Sequence, residues 1–181
     1  MDSASENDAS LGKTYRHRRL STSRSIRILT LNPSPIFTAP LEASLTEISL
    51  DSITSLTLRY EALSYVWGSP TGDRPIRCDN KLLLVTSNCE SALRHLREAE
   101  RTRTLWVDAI CIDQSDDEES VQERNRQVAL MGEVYRLATR TFCWLGEGTK
   151  FTGEVIARLG QIGSCQSKRG LKKLLQLDGK C

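Results

Sequence analysis

Between residues 60 and 147 the chain alternates three apolar, strand-like runs with two segments of helical spacing. The runs are YEALSYVWG (60–68), TLWVDAICIDQ (104–114) and TFCWLG (141–146). Strands joined through helix-length crossovers lie parallel, because a short hairpin cannot connect parallel neighbours. The order therefore predicts an α/β fold, a parallel sheet with flanking helices, whose ligands belong at the carboxyl ends of the strands.

Local signals fill in that frame. IRC-DNK-LLLV (76–85) predicts an added β-hairpin, since Asp79 and Asn80 tolerate the positive φ of a tight turn. Ser87-x-x-Glu90 reads as a capping box, followed by Cys89, Ala92, Leu93, Leu96 and Ala99 at helical spacing. A second box, Ser120-x-x-Glu123, follows the acidic loop 115–119, whose charge suits a helix amino end. Val121, Val128, Met131, Val134, Tyr135 and Ala138 form the stripe this helix is expected to bury. IRILTL and LTEISL (45–50) predict two further strands flanking the sheet, separated by NPSPIFTAP (32–40), whose three prolines end the first. FTGEVIARLGQIG (151–163) predicts a third helix. The domain organisation expected is a disordered basic, serine-rich tail at 1–24, a domain over 25–165 and a basic C-terminal tail at 166–181. Three parallel strands are few for a doubly wound sheet, which predicts a truncated domain.

Composition narrows the function classes. With 181 residues, 39% hydrophobic and a formal net charge of +2, the chain suits one modest globular core and offers no case for nucleic acid. The amino-terminal segment lacks the apolar stretch of a secretory signal, and Asp2, Glu6 and Asp8 oppose a transit peptide. No run approaches a membrane span, so a cytoplasmic location is expected. The six cysteines show no CxxC, and neither His17 nor His95 has a thiol at ligand spacing, which argues for reduced thiols and no metal site.

Few residues offer chemistry. Gly146-x-Gly148 opens a dinucleotide fingerprint, but Phe151 stands where its third glycine belongs. Cys111 with His95 reads more simply as packing and solvated surface than as nucleophile and base. Asp108 interrupts the apolar run LWVDAICI, and Asp113 and Gln114 stand at its end, so each is a candidate anchor or site residue. Trp67, beside Gly68, either packs or offers a face on which a base or nicotinamide stacks. Arg124 falls on the expected buried stripe and needs an anionic partner, either Asp113 or Asp116 or a ligand phosphate.

YEALSYVWG, LWVDAICIDQ, the spaced residues of 123–138 (ER-x-x-QV-x-x-M-x-x-VY-x-x-A) and WLG (144–146) together resemble the heterokaryon incompatibility (HET) domain of filamentous fungi. The resemblance implies a part in nonself recognition and regulated cell death. It also implies distant kinship with Toll-and-interleukin-receptor (TIR) domains and their flavodoxin-like parallel sheet. It carries Tyr65, Trp67, Gly68, Asp108, Asp113, Gln114, Glu123, Arg124 and Gln127 as motif residues. Because some TIR domains cleave NAD with a glutamate after the third strand, it puts forward Glu147 and Glu154 as catalytic and NAD as a substrate. Homotypic or other signalling-protein partners are implied with it, and a non-catalytic interaction module or a degenerate paralogue is the alternative.

Overall fold

The computed structural model describes residues 13–53, 59–68 and 72–148. The chain divides into two units, Met1–Gly146 and Glu147–Cys181, and only Glu147 and Gly148 of the second are described. The helix expected at 151–163, the boundary at 165 and the tail at 166–181 lie outside the described residues.

The first unit is built on strands β1 (Ser25–Leu31), β2 (Glu42–Ser49), β3 (Glu61–Tyr65), β4 (Arg74–Cys78), β5 (Lys81–Val85), β6 (Arg103–Val107) and β7 (Thr141–Trp144). Helices α1 (Ser87–Leu96), α2 (Asp108–Cys111) and α3 (Glu118–Leu137) lie between them. One seven-stranded sheet runs in the order β5-β4-β2-β1-β6-β3-β7. The three runs that suggested parallel pairing do form a parallel block, with Ala62 beside Trp106 on one side and beside Thr141 on the other. Within that block the chain's first strand is central, the 2-1-3 order with which a flavodoxin-like sheet begins. The whole sheet is nevertheless mixed, because β1 joins β6 antiparallel and β2 returns antiparallel along β1.

β1 is central rather than flanking. Six of its seven residues are buried, so both faces of the strand need cover, a demand an interior strand meets and an edge strand does not. The proline-rich return between β1 and β2 is held by Arg94 of α1 and by Arg97, which caps its carboxyl end. Arg94 donates to the carbonyls of Phe37 and Ala39, and Arg97 to those of Ile36, Phe37, Ala39 and Pro40. The β4–β5 hairpin turns at Asp79 and Asn80 with φ of 48° and 60°, as their tolerance of the left-handed region predicts.

Both helix starts are displaced from the expected boxes. Thr86, not Ser87, caps α1, accepting from the Cys89 amide, and Asp117, not Ser120, caps α3, accepting from the Ser120 amide. Strand β6 also ends earlier than its apolar run: Asp108–Cys111 coil into one helical turn, closed by the Ile112 amide on the Asp108 carbonyl at 3.1 Å. A short apolar run does not by its periodicity separate strand from buried helix.

In the parallel block, side-chain alternation places Leu63, Tyr65 and Trp144 towards α1, and Ala62 and Trp106 towards α3. Trp106 is fully buried and meets Tyr135 of α3 edge to face at 5.3 Å. The buried face of α3 differs from the apolar stripe. Val128 is 55% exposed, while Glu123, Gln127 and Val134 are buried. Polar groups at the start of β1 meet this half of α3, so a polar face answers them.

Residues 13–24, assigned by composition to a solvated tail, lie against the fold. The Tyr15 amide donates to the Leu82 carbonyl at 2.7 Å and the Leu82 amide to the Lys13 carbonyl at 2.9 Å, covering the β5 edge. Unmet backbone groups of that edge supply the partners that the segment's low apolar content does not.

Candidate functional site

A 2-1-3 parallel order puts the ligand crevice between the carboxyl ends of its first and third strands, here β3 and β7. Tyr65 and Trp144 pair across them, and Val66 and Leu145 beyond are 73% and 76% exposed. Asn88, on the first turn of α1, ties the two ends together: its amide donates to the Val66 carbonyl and its Oδ1 accepts from Trp144 Nε1 at 2.8 Å. Gly68 carries φ of 75°, a left-handed conformation that costs other residues energy and lets the chain turn away after Trp67.

Asp108 stands where β6 ends. Its Oδ2 accepts from Trp67 Nε1 at 2.9 Å and its Oδ1 from the Ala109 amide at 2.8 Å. Burial pushes this carboxyl above its ordinary value, while the two hydrogen bonds favour the ionised form and limit the rise. The Trp67 ring is 37% exposed, so one face of a partly desolvated carboxylate is framed by an accessible aromatic. The Tyr65 hydroxyl is buried beside the Cys89 thiol, and burial drives its phenol far up.

The remaining motif residues gather in a second cluster around the amino end of α3. Gln114 folds back on the helical turn, donating to the carbonyls of Ile112 at 3.1 Å and Asp108 at 3.4 Å, so one motif aims two carboxylates at different places. Asp113 accepts from the Ser115 amide at 3.0 Å and from Ser120 Oγ at 3.1 Å, and its Oδ1 lies 3.5 Å from His17 Nδ1. Burial raises its pKa, but the Ser115 and Ser120 bonds with nearby His17 outweigh it and the carboxyl is lowered. His17 Nε2 lies 2.7 Å from the Ile110 carbonyl, which only a protonated ring nitrogen can satisfy. Burial nevertheless lowers the His17 pKa, helped by Arg27 and opposed by the Ile110 bond, Asp113 and Glu123. A cleft of about 460 Å³ opens here, lined by His17, Arg19, Asp113, Asp117, Ser120 and Glu123.

Beneath this cluster Arg27 reaches Glu123 through two bonds, Nη1 to Oε1 at 2.6 Å and Nη2 to Oε2 at 2.9 Å, with side chains only 5% and 8% exposed. Arg27 also donates to the carbonyls of Cys111 and Arg18, and Gln127 donates to that of Ser25 at 2.8 Å. The buried arginine of the fold is thus Arg27, not Arg124. Arg124 is half-buried and makes no ion pair or hydrogen bond among the described residues, Asp113 and Asp116 included.

The candidates therefore fall into two groups. Tyr65, Trp67, Gly68 and Asp108 share the strand ends, and Asp113, Glu123 and Gln127 share the cluster at α3, with Gln114 between. Glu147 is exposed and begins the second unit, and Glu154 lies outside the described residues. Asn88, Arg27 and His17 were not legible as site residues. A lone arginine inside IRILTL was the available signal for Arg27, while nothing in the local pattern marks the other two. Among the described residues no group of three or more histidine, cysteine or acidic side chains could hold a metal ion, and no helix is long and apolar enough to cross a membrane.

The model of the family described as heterokaryon incompatibility protein (HET) matches residues 60–176, the stretch that holds both strand-end motifs and all of α3. Over 154 residues, 78% of this chain, the sequence is 34% identical to "Heterokaryon incompatibility protein 6, OR allele" of Neurospora crassa, and the match spans 22% of that relative. No solved structure matches the chain. Because the family model covers well over half of the residues and places the same motifs in one frame, the chain belongs to the heterokaryon incompatibility (HET) family.

Proposed function

We propose that this chain acts in heterokaryon incompatibility, as a domain of fungal nonself recognition that signals regulated cell death by self-association. Family membership over residues 60–176 carries the incompatibility reading. The exposed apolar residues Val66 and Leu145, one just past the end of β3 and the other just past the end of β7, support a homotypic contact. The test is to express the chain in a filamentous fungus fused to an inducible dimeriser. Clustering should arrest growth, and Val66→Glu with Leu145→Glu should abolish both assembly and arrest. Arrest that survives with the protein demonstrably monomeric overturns self-association as the mechanism.

A second reading, cleavage of NAD, is favoured by the Trp67–Asp108 pair. An accessible indole beside a partly buried carboxylate suits an aromatic ring attached to a sugar that becomes cationic as the glycosidic bond breaks. Water would add at the ribose carbon as nicotinamide leaves, giving ADP-ribose, with Glu147 or Glu154 as the carboxylate implied by likeness to TIR domains. Clustered full-length protein incubated with NAD should release nicotinamide, and Asp108→Asn, Glu147→Gln and Glu154→Gln report which carboxylate matters. No release from the clustered protein removes the enzymatic reading and leaves the homotypic one standing.

A further inference from the structure

On the other side of the amino-terminal segment a cleft of about 610 Å³ opens between that segment, β2 and the β4–β5 hairpin. Its volume lies within the roughly 300–1,000 Å³ of small-molecule sites. Tyr15, Arg16, Arg18, Arg27, Glu47 and Lys81 are among its walls. Several guanidinium groups elsewhere in the fold are engaged. Arg24, Arg77 and Arg103 pair with carboxylates, Arg97 holds carbonyls, and Arg94 does both. The side chains of Arg16, Arg18 and Lys81, which share one cleft, make no ion pair or hydrogen bond among the described residues.

The fold itself brings these three cations together. Arg18 is anchored through its carbonyl, which accepts from Arg27, so its guanidinium is free of structural duty. Lys81 opens β5, and the parallel pairing of Lys13 and Tyr15 with Leu82 holds the amino-terminal segment along the hairpin edge, so that Arg16 and Lys81 both line the cleft. Arg27 is already matched by Glu123, and Glu47 is held by the amide and hydroxyl of Ser21. Asp79, in the hairpin turn, is the other carboxylate on the wall. Three unpaired cations lining one concavity repel one another, and an anion entering there relieves the repulsion. Inorganic anions alone would not need Tyr15, a half-buried ring lining the same space. Burial pushes its phenol up to about 12, so it enters the cleft as a neutral ring and donor.

We propose that this cleft is a binding site for a nucleoside phosphate, in which Arg16, Arg18 and Lys81 take the phosphate oxygens and Tyr15 packs against the base. Charge-assisted bonds from guanidinium to phosphate and base–aromatic stacking are the two interactions such a ligand requires. Asp79 and Glu47 are then the acceptors within reach of ribose hydroxyls. The site is independent of the strand-end reading, since neither Trp67 nor Asp108 lines it.

Titration calorimetry on the full-length protein with ADP, adenosine and inorganic phosphate, at low and high salt, tests this. ADP should bind more tightly than either fragment, and its affinity should fall as salt rises. Arg16→Ala with Arg18→Ala and Lys81→Ala should weaken ADP at least tenfold, Tyr15→Leu should bring ADP down to the affinity of phosphate, and Arg101→Ala should change nothing. None of the three cations holds the fold through its side chain, so the triple variant should keep the wild-type melting temperature. Absence of ADP binding overturns the proposal. So does binding that survives the triple variant but is lost in Asp108→Asn, which would put the nucleotide at the strand ends instead.

Discussion

Arg27 shows most sharply how one residue's meaning changes with its surroundings. In the sequence it is one of many basic residues near the amino end. In the fold it is the partner of Glu123 and holds the carbonyls of Cys111 and Arg18. A buried ion pair adds little to stability compared with a well-packed apolar substitute, but removing one partner strands the other charge. Arg27→Met should therefore cost about 3–5 kcal/mol, while Arg27→Met with Glu123→Leu should recover most of that loss. Urea denaturation of the two variants against wild type decides it. An additive loss in the double variant would mean that the two side chains do not act as a pair.

At the scale of elements, both capping boxes were displaced for one reason. Several side chains able to cap stand close together, Thr86 with Ser87 and Asp117 with Ser120, and only the direction of the incoming chain selects among them. Thr86 enters from β5 with ψ of 155°, leaving its hydroxyl over the first turn. Thr86→Ala should cost about 1 kcal/mol. Ser87→Ala, already inside the helix, should change stability by less than about 0.5 kcal/mol. Chemical denaturation of this pair distinguishes the two registers.

The amino-terminal segment behaves as an element of its own, with His17 as its anchor. Its folded pKa is below the free value, so the docked state binds fewer protons than the free segment. The stability of docking is then complete above the free histidine value, about 6.5, and is lost as pH falls through the lowered value. The protection of amides over residues 13–24, measured against intrinsic exchange, should fall on acidification in wild type. In His17→Gln, which keeps a donor for Ile110 but does not titrate, that protection should no longer fall across the histidine range, leaving only the fall at lower pH as Glu47 releases Ser21. Arg27, Asp113, Glu123 and Tyr15 are the charged or titratable groups facing His17, and none of them is altered by that substitution.

For the molecule as a whole, the parallel block and its added hairpin were legible because period-two runs, helix-length crossovers and a turn dipeptide are local signals. The strand ends were legible too: Asp108 stood out as a charge in an apolar run, and Trp67 and Gly68 as the end of another. The thiols extend the same reading. Cys78, Cys89 and Cys111 are buried with pKa values pushed up to about 12 by burial, while Cys143 is exposed on β7. Brief alkylation of native protein followed by mass spectrometry should label Cys143 and spare the other three until the protein unfolds. Labelling of Cys111 at the rate of Cys143 would show that the sheet opens far more readily than its packing implies. What the sequence alone determined was the seven strands, the two long helices and the family, because all are written in short-range patterns. Which strands became neighbours, that β1 lies at the centre, that Arg27 rather than Arg124 is the buried, paired arginine, and that residues 13–24 dock were decided by tertiary structure. Each depends on a partner some tens of residues or more away, and the hydrogen bonds and charges of a buried group are satisfied by whatever the fold brings to it.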